Sequence, residues 1–423
     1  MTARRHPPGL YVLFFTELWE RYSFYSMMAI LALYMNEALH FDVAHVGRIY
    51  GAYTAGVYFL PLFGGLIADR ILGFNRAVII GGILMMFGHL VLGFEALPFF
   101  YSGLVLLACG SGLLKPNVST LVGNLYRDRP ELRDQGFNIF YMGINLGAFV
   151  SPLTVSWIRT DYGWSPAFMS AAAAMILSLL VFTAFNRHVA AAGAKVEGGS
   201  AEALAISPAD ARSRVITLIA VFAISTVFWL AFYQIFYTFT FWARDNTLTT
   251  IPPERFQVFE PLGVILLSPV LVVVWAWLQR RNAEPSTPVK MLLGVILVAG
   301  AFGLLAYAAM NGGDNGRVSA QWLIWANIMI ALGEIALSPM GLSLVNMIAP
   351  PRSRGLLMGG WFASLAAGGY LSGYIGSYWD TMPHSRFFLM VVGILVATAV
   401  PLSLMTPQIK RTIRANQQVA LAQ

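Results

Sequence analysis

The stretch Glu17-Leu18-Trp19-Glu20-Arg21-Tyr22-Ser23-Phe24-Tyr25 places three charged side chains inside an apolar run from Tyr11 to Met35. The run is long enough to form a membrane-spanning helix. An ionised side chain in the hydrocarbon core costs at least about 2.5 kcal/mol, so these residues are expected to face a polar cavity or a partner. At helical spacing, Glu17, Arg21 and Tyr25 share one face, and Glu20 flanks it. The alternative is a structural ion pair between two helices, but such a pair needs no second carboxylate.

The composition is typical of a polytopic membrane protein. Hydrophobic residues make up 57% of the 423 residues and charged residues only 11%, against about 25% charged in soluble domains. Apolar segments of spanning length lie near 11–37, 46–69, 76–95, 98–123, 136–158, 165–186, 214–242, 256–279, 289–309, 320–347, 355–378 and 385–407. The sequence therefore predicts an all-α membrane protein with twelve transmembrane helices.

The net charge of +7 is distributed as a topology signal. Twelve spans put both termini on one side, and that side holds most of the 27 Lys and Arg residues. The positive-inside rule makes that side cytoplasmic in the inner (plasma) membrane. We therefore expect a lipid bilayer, and no nucleic acid, around this chain.

Neither a metal site nor an enzyme site is visible in the sequence. Cys109 is the one cysteine, and the six histidines have no metal-ligand spacing. No phosphate-binding Gly-Lys-Ser/Thr loop is present. We predict no catalytic residues, no metal and no cofactor.

A polar linker divides the chain into two halves of six spans. The predicted parts are an N-terminal bundle (1–188), a cytoplasmic linker (189–212), a C-terminal bundle (213–408) and a cytoplasmic tail (409–423). A repeat supports this division, although apolar segments can also match by chance: Ala108, Gly110, Leu114, Pro116, Leu121 and Val122 recur as Ala331, Gly333, Leu337, Pro339, Leu344 and Val345. Repeated halves are typical of secondary transporters, which bind substrate in a central cavity and rock one half against the other.

Lys115 lies inside the fourth span, directly before Pro116. The proline frees a backbone carbonyl group and leaves room for water. A buried lysine needs a carboxylate partner, and Glu17 and Glu20 are the nearest candidates if the first and fourth spans pack together. Small movements of the lysine would then change the protonation of a neighbouring carboxyl group, which is a physical basis for proton coupling.

Two further glutamates lie beside prolines within spans. Glu334 precedes the sequence Ile335-Ala336-Leu337-Ser338-Pro339, and Glu260 directly precedes Pro261. Each is a candidate functional acid. A structural, hydrogen-bonded acid is the alternative, particularly for Glu260, because Glu254 and Arg255 lie close by.

Several uncharged residues are candidates to line a pocket. Asn145 offers an amide group able to bind a peptide backbone or terminus. The aromatic candidates lie in spans that also carry charges or polar motifs, and are Tyr25, Tyr58, Tyr141, Trp229, Tyr233 and Trp361. Any one of these aromatic residues is more often a packing residue.

The first-helix pattern resembles the E-x-x-E-R-F-x-Y-Y motif of the proton-dependent oligopeptide transporter (POT/PTR) family, within the major facilitator superfamily. The loop from Gly64 to Gly73 and the run from Phe137 to Phe149 resemble that family's two signature sequences. Further matches occur in the same order along the chain: Lys115-Pro116-Asn117, Phe228-Trp229, Gly333-Glu334, Ser338-Pro339 and Met358-Gly359-Gly360-Trp361-Phe362. The resemblance covers essentially the whole chain.

The resemblance implies the major facilitator fold, with two six-helix bundles around a central cavity, and a monomer that imports di- and tripeptides with protons. It implies that Glu17 and Glu20 carry the proton and exchange contacts with Lys115. It also implies peptide-binding roles. Arg21, Lys115 and Asn145 would bind the carboxylate end and backbone of the peptide, and Glu334 its amino terminus. The pockets for the peptide side chains would be formed by Tyr25, Tyr58, Trp229 and Trp361. Tyr233 and Ser338 complete the predicted peptide-binding set.

This sequence departs from the family pattern at three positions. Tyr233 stands where the family usually has a glutamate in the seventh span, and Glu260 stands where an asparagine usually precedes the proline of the eighth. We hypothesise that Glu260 takes over the missing acid's role in proton coupling or extracellular gating. Phe24 replaces the family's second tyrosine.

Two alternatives to peptide transport stay open at this point. Some relatives carry nitrate or a carboxylate, although the first-helix motif together with Lys115 argues against nitrate alone. An intramembrane enzyme or receptor would need a nucleophile–base pair, a metal site or a soluble output domain, and the sequence contains no sign of these.

Overall fold

The computed structural model describes residues 6–193, 208–350 and 354–421, and these residues are almost entirely helical. The helices of the first part are α1 (Pro8–Leu33), α2 (Val43–Phe59), α3 (Pro61–Ile67), α4 (Phe74–Leu92), α5 (Leu97–Leu125), α6 (Arg133–Tyr162) and α7 (Trp164–Ala184). Those of the second part are α8 (Pro208–Phe232), α9 (Thr238–Asp245), α10 (Phe259–Arg280), α11 (Thr287–Ala308), α12 (Gln321–Ile348), α13 (Arg354–Gly376) and α14 (His384–Leu421). Two short parallel strands, β1 (Thr247–Leu248) and β2 (Val318–Ser319), pair with each other.

Most predicted spans coincide with long apolar helices. Among the described residues, 10 helical segments are long and apolar enough to cross a membrane. Helices α1 and α13 are not among them, because α1 carries three charges in its middle and α13 is rich in Gly, Ser and Tyr. The predicted all-α membrane class is confirmed, and the number of twelve transmembrane helices stays a prediction.

The second span is interrupted at Pro61. Helix α2 ends at Phe59, and Pro61 is the first residue of α3, where its missing N–H would have had no helical partner. A π-helix (Ala68–Leu72) follows and ends at Gly73, whose φ of 78° suits glycine. The loop charges Asp69 and Arg70 are exposed, and in the described part of the chain Asp69 forms no ion pair.

The seventh span is interrupted at the position of the missing family glutamate. Helix α8 ends at Phe232, a 3₁₀ turn covers Tyr233–Phe236, and α9 continues the span. The buried side chain of Gln234 donates a hydrogen bond to the carbonyl oxygen of Ser372 at 2.9 Å and accepts one from Thr238 at 2.8 Å. The first bond ties the interrupted segment to α13, and the second joins the 3₁₀ turn to α9.

The predicted internal repeat corresponds to one helix-packing contact that occurs twice. A Cβ atom on Gly81 of α4 would lie 2.6 Å from the carbonyl oxygen of Gly110 on α5. A Cβ atom on Gly294 of α11 would lie 2.7 Å from the carbonyl oxygen of Gly333 on α12. Gly110 and Gly333 are equivalent in the repeat, so the same close approach joins the third and fourth spans of each half.

Contacts divide the chain into two units, Met1–Phe41 with Gly56–Glu197, and Asp42–Ala55 with Gly198–Gln423. Most of α2, residues 43–55, therefore belongs with the later helices. There, the Tyr50 hydroxyl donates to the carbonyl oxygen of Tyr233 at 3.3 Å, and the Tyr50 ring stacks on that of Tyr237.

The predicted domain limits stay predictions. Most of the predicted linker, residues 194–207, lies outside the described residues. In the predicted tail, helix α14 continues as far as Leu421.

Candidate functional site

The three charged residues of α1 form one buried cluster. Arg21 donates through Nε and Nη2 to the two carboxylate oxygens of Glu20. Its Nε also lies 3.3 Å from Oε1 of Glu17, one helical turn earlier. All three side chains are buried, and Oε2 of Glu17 has no hydrogen-bond partner among the described residues. Glu20 is therefore fully engaged, whereas Glu17 has an oxygen free to take a proton.

Lys115 faces this cluster but pairs with an aromatic ring. Its Nζ lies 4.2 Å from the centroid of the Tyr58 ring, a cation–π distance. Glu17 and Glu20 act on Lys115 electrostatically, yet the described structure contains no ion pair between Lys115 and either glutamate. The sequence predicted a direct carboxylate partner for Lys115, but Arg21 takes both oxygens of Glu20 and contacts Oε1 of Glu17, and Lys115 lies on the Tyr58 ring instead.

A close approach between α3 and α5 positions Tyr58 beside Lys115. A Cβ atom on Gly64 would lie only 2.0 Å from the carbonyl oxygen of Gly112, so only glycine fits there. The side chain of Asn117 donates to the carbonyl oxygen of Gly64 at 3.4 Å. The family-like loop and the Lys-Pro-Asn sequence thus pack against each other and present the ring to the lysine.

Helix α6 supports the cluster from behind through small residues. A Cβ atom on Gly147 would lie 2.6 Å from the carbonyl oxygen of Leu18, so the two helices almost touch. Asn145 is half-buried, and its Nδ2 donates to the carbonyl oxygen of Tyr141 on its own helix at 2.9 Å. Among the described residues, no hydrogen bond joins Asn145 to the charged cluster.

Tyr25 is the last of the predicted site residues that lie close to Arg21 in the first unit. It lies one turn after Arg21, is half-buried, and interacts with the guanidinium group electrostatically. The structure therefore brings together Glu17, Glu20, Arg21, Tyr25, Tyr58 and Lys115.

In the second unit, Glu260 and Glu334 form a carboxyl pair. Their carboxyl groups lie side by side, although α10 and α12 are far apart in sequence. Helix α10 approaches α12 closely, because a Cβ atom on Gly263 would lie 2.7 Å from the Cβ atom of Ala331. Glu260 is buried and Glu334 is half-buried. The sequence offered both acids as candidates but gave no sign that they meet.

Trp229, Tyr233 and Trp361 are packed inside this unit, whereas the candidate Tyr141 lies on α6 in the first unit and is 47% exposed. Trp229 and Tyr233 lie with ring centroids 5.7 Å apart and are both buried, and the indole Nε1 of Trp229 has no partner among the described residues. Trp361 is buried against Gly341 of α12. Ser338 lies half-buried on α12, one turn after Glu334.

Sequence reasoning missed one buried polar contact of α1. His89 of α4 is fully buried, and its Nε2 lies 2.7 Å from the hydroxyl oxygen of Ser23, inside the first-helix motif. The available signal was that His89 is the one histidine in the middle of a predicted span. This contact fixes α4 against the part of α1 that carries Glu20 and Arg21.

Comparisons with known proteins identify relatives of this chain. The sequence model described as POT family matches residues 75–197 and 195–390. Uncharacterized transporter YclF from Bacillus subtilis (strain 168) is 32% identical, with 97% of this chain and 95% of that protein covered. Peptide transporter YePEPT from Yersinia enterocolitica subsp. palearctica serotype O:3 (strain YE-P4) is 31% identical, with 97% and 96% covered.

Comparison of the fold with solved structures points to the same family as the sequence matches. A crystal structure of a peptide transporter POT in complex with sulfate has a TM-score of 0.89 and 30% identity, with 97% of each chain covered. The prediction of a transporter rather than an enzyme is confirmed by these relatives. Since both matched regions together span most of the chain, this multi-pass membrane protein belongs to the POT family.

Proposed function

We propose that this protein is a proton-coupled symporter that imports di- and tripeptides across the inner (plasma) membrane by alternating access. In this scheme it works as a monomer with both termini in the cytoplasm. The relative from Yersinia enterocolitica is named a peptide transporter, and this supports the substrate class.

The observation that carries the proposal is the buried charge balance around Arg21. The two carboxylates of Glu17 and Glu20 are matched by the cations of Arg21 and Lys115, and this balance suits a site of low dielectric constant. A peptide carboxylate that binds Lys115 adds one negative charge. Protonation of Glu17, through its unpartnered oxygen, removes one. Peptide and proton therefore enter the site together at the lowest electrostatic cost.

The residues take roles according to their chemistry. Arg21, Lys115 and Asn145 bind the carboxylate end and backbone, and for this Asn145 exchanges its bond to Tyr141 for one to the peptide. Glu334 and Ser338 bind the amino end. The aromatic residues that shape the side-chain pockets are Tyr25, Tyr58, Trp229, Tyr233 and Trp361. Glu260 takes the role of the acid that is missing at Tyr233.

The test is transport of labelled alanyl-alanine into proteoliposomes. Wild type is compared with Lys115→Ala and Glu20→Gln in two assays, uptake driven by an inward proton gradient and peptide counterflow without a gradient. We expect wild type to perform both, and each variant to lose the gradient-driven uptake. A variant that keeps both activities does not belong in the coupling scheme.

Competition separates the substrate classes. We expect tripeptides to compete with the labelled dipeptide and nitrate to leave its uptake unchanged. Gradient-driven uptake of nitrate without any uptake of dipeptide would replace peptide symport by anion transport, and absence of counterflow for either would contradict a carrier mechanism.

A further inference from the structure

Glu260 and Glu334 have separate roles in the proposed function, but their carboxyl groups form one buried pair. Glu260 is only 8% exposed, its Oε1 has no hydrogen-bond partner among the described residues, and its carboxyl group lies beside that of Glu334. The contact between Gly263 and Ala331 holds α10 and α12 close together and so keeps the two acids beside each other. The pair is thus built into the helix packing and is not a chance encounter of two long side chains.

The pair carries one proton. Two ionised carboxylates side by side in a buried site repel each other strongly, and a proton on one of them removes this repulsion and lets it donate a hydrogen bond to the other. Within the described part of the chain, the largest charge effect on Glu260 comes from Glu334. The 3₁₀ helix before α10 (Pro253–Val258) contributes Glu254 and Arg255. The charged side chains of the other described helices that pack on α10 or α12 are Arg212, Arg214, Lys290, Arg386, Lys410 and Arg411, and Arg280 lies at the end of α10.

We propose that this pair selects peptides whose first residue carries a second ammonium group, such as lysyl dipeptides. The inference rests on the proposed function, which gives Glu334 the amino end of the peptide. A single α-ammonium group neutralises the one negative charge and leaves the shared proton in place. Two ammonium groups pair with both carboxylates, and the shared proton leaves to solvent. Since hydrogen bonds between charged groups are the strong ones, the gain in affinity is on the order of 10-fold.

The experiment is competition against binding of labelled alanyl-alanine to the purified full chain, at equilibrium and without a membrane potential. The competitors are lysyl-alanine, norleucyl-alanine with an uncharged side chain of similar length, and alanyl-lysine with the charge on the second residue. We expect lysyl-alanine to compete about 10-fold more strongly than the other two. We expect this advantage to grow as the pH rises, because the pair then loses its shared proton and gains a second negative charge.

Two variants and one control assign the effect to the pair. In Glu260→Gln and Glu260→Asn, we expect lysyl-alanine to compete no more strongly than norleucyl-alanine, because a single carboxylate remains. Glu254→Gln removes a buried acid six residues earlier and is expected to keep the advantage. If neither Glu260 variant folds, the pH trend in wild type decides.

The outcomes separate this inference from the proposed function. If alanyl-alanine does not bind, the proposed function fails. If alanyl-alanine binds but lysyl-alanine has no advantage over norleucyl-alanine, or if its advantage shrinks with rising pH, only the carboxyl-pair inference fails. An equal loss of the advantage in Glu254→Gln and Glu260→Gln would also overturn the carboxyl-pair inference. The effect would then come from the total negative charge of the second unit and not from the pair.

Discussion

The ammonium group of Lys115 lies 4.2 Å from the centre of the Tyr58 ring, while the nearby carboxylates of Glu17 and Glu20 form ion pairs with Arg21. A lysine held by a ring and not by a carboxylate is free of a strong competitor for an incoming anion. The ring contacts one side of the ammonium group and orients it, so the contact can persist while the other N–H groups bind an anion. This geometry makes Lys115 the residue most ready to take a peptide carboxylate.

Removal of the Tyr58 ring should therefore impair transport more than removal of its hydroxyl group. A buried cation–π contact contributes about 1–2 kcal/mol, so we expect Tyr58→Ala to lower dipeptide affinity roughly 5- to 30-fold. Tyr58→Phe keeps the ring and should stay within about threefold of wild type. Binding of labelled alanyl-alanine to purified protein measures this. An equal loss in both variants would show that the hydroxyl group, not the ring, matters.

The two glutamates of α1 should differ in their effect on stability. Glu20 takes two hydrogen bonds from Arg21, whereas Glu17 makes one longer contact and has one oxygen without a partner. Breaking a buried ion pair costs about 3–5 kcal/mol. We expect Glu20→Gln to lower the thermal unfolding temperature clearly, and Glu17→Gln to lower it much less. Thermal unfolding in detergent measures both, and the reverse order would contradict the geometry.

The contact between α6 and α1 should not tolerate a single methyl group. A Cβ atom at Gly147 would lie 2.6 Å from a backbone oxygen, which cannot move without shifting α1. We expect Gly147→Ala to destabilise the protein by about 1–3 kcal/mol. Gly303→Ala on α11 is the matched control, because nothing lies within 4 Å of its Cβ position. Thermal unfolding of both variants tests this, and equal values would exclude close packing as the reason for glycine at this position.

Much of the fold could be predicted from the sequence because apolar length is a local signal. The α1 helix and the clustering of Glu17, Glu20 and Arg21 follow from helical spacing alone, since these residues are neighbours in the chain. The breaks at Pro61 and Tyr233 were harder to predict, because an apolar run continues through each of them.

Contacts between distant helices could not be predicted in the same way. The position of Lys115 over Tyr58 depends on the approach of Gly64 to Gly112, which involves residues far apart in the chain. The hydrogen bond between His89 and Ser23 likewise joins two helices, and no sequence pattern around either residue indicates its partner. Even so, the sequence identified both acids of the Glu260–Glu334 pair, because charge inside an apolar span is conspicuous whatever the partner.

The acid at Glu260 should be exchangeable with one at Tyr233, if proton coupling needs a carboxyl group in this unit and not at one fixed position. We expect Glu260→Asn to lose gradient-driven uptake of alanyl-alanine, and the double change Tyr233→Glu with Glu260→Asn to recover a measurable part of it. The buried Nε1 of Trp229, next to Tyr233 and without a partner among the described residues, can donate a hydrogen bond to the new carboxylate. Tyr233→Gln with Glu260→Asn is the matched control without a charge. Equal uptake in the two double variants would show that the carboxyl groups do not substitute for each other.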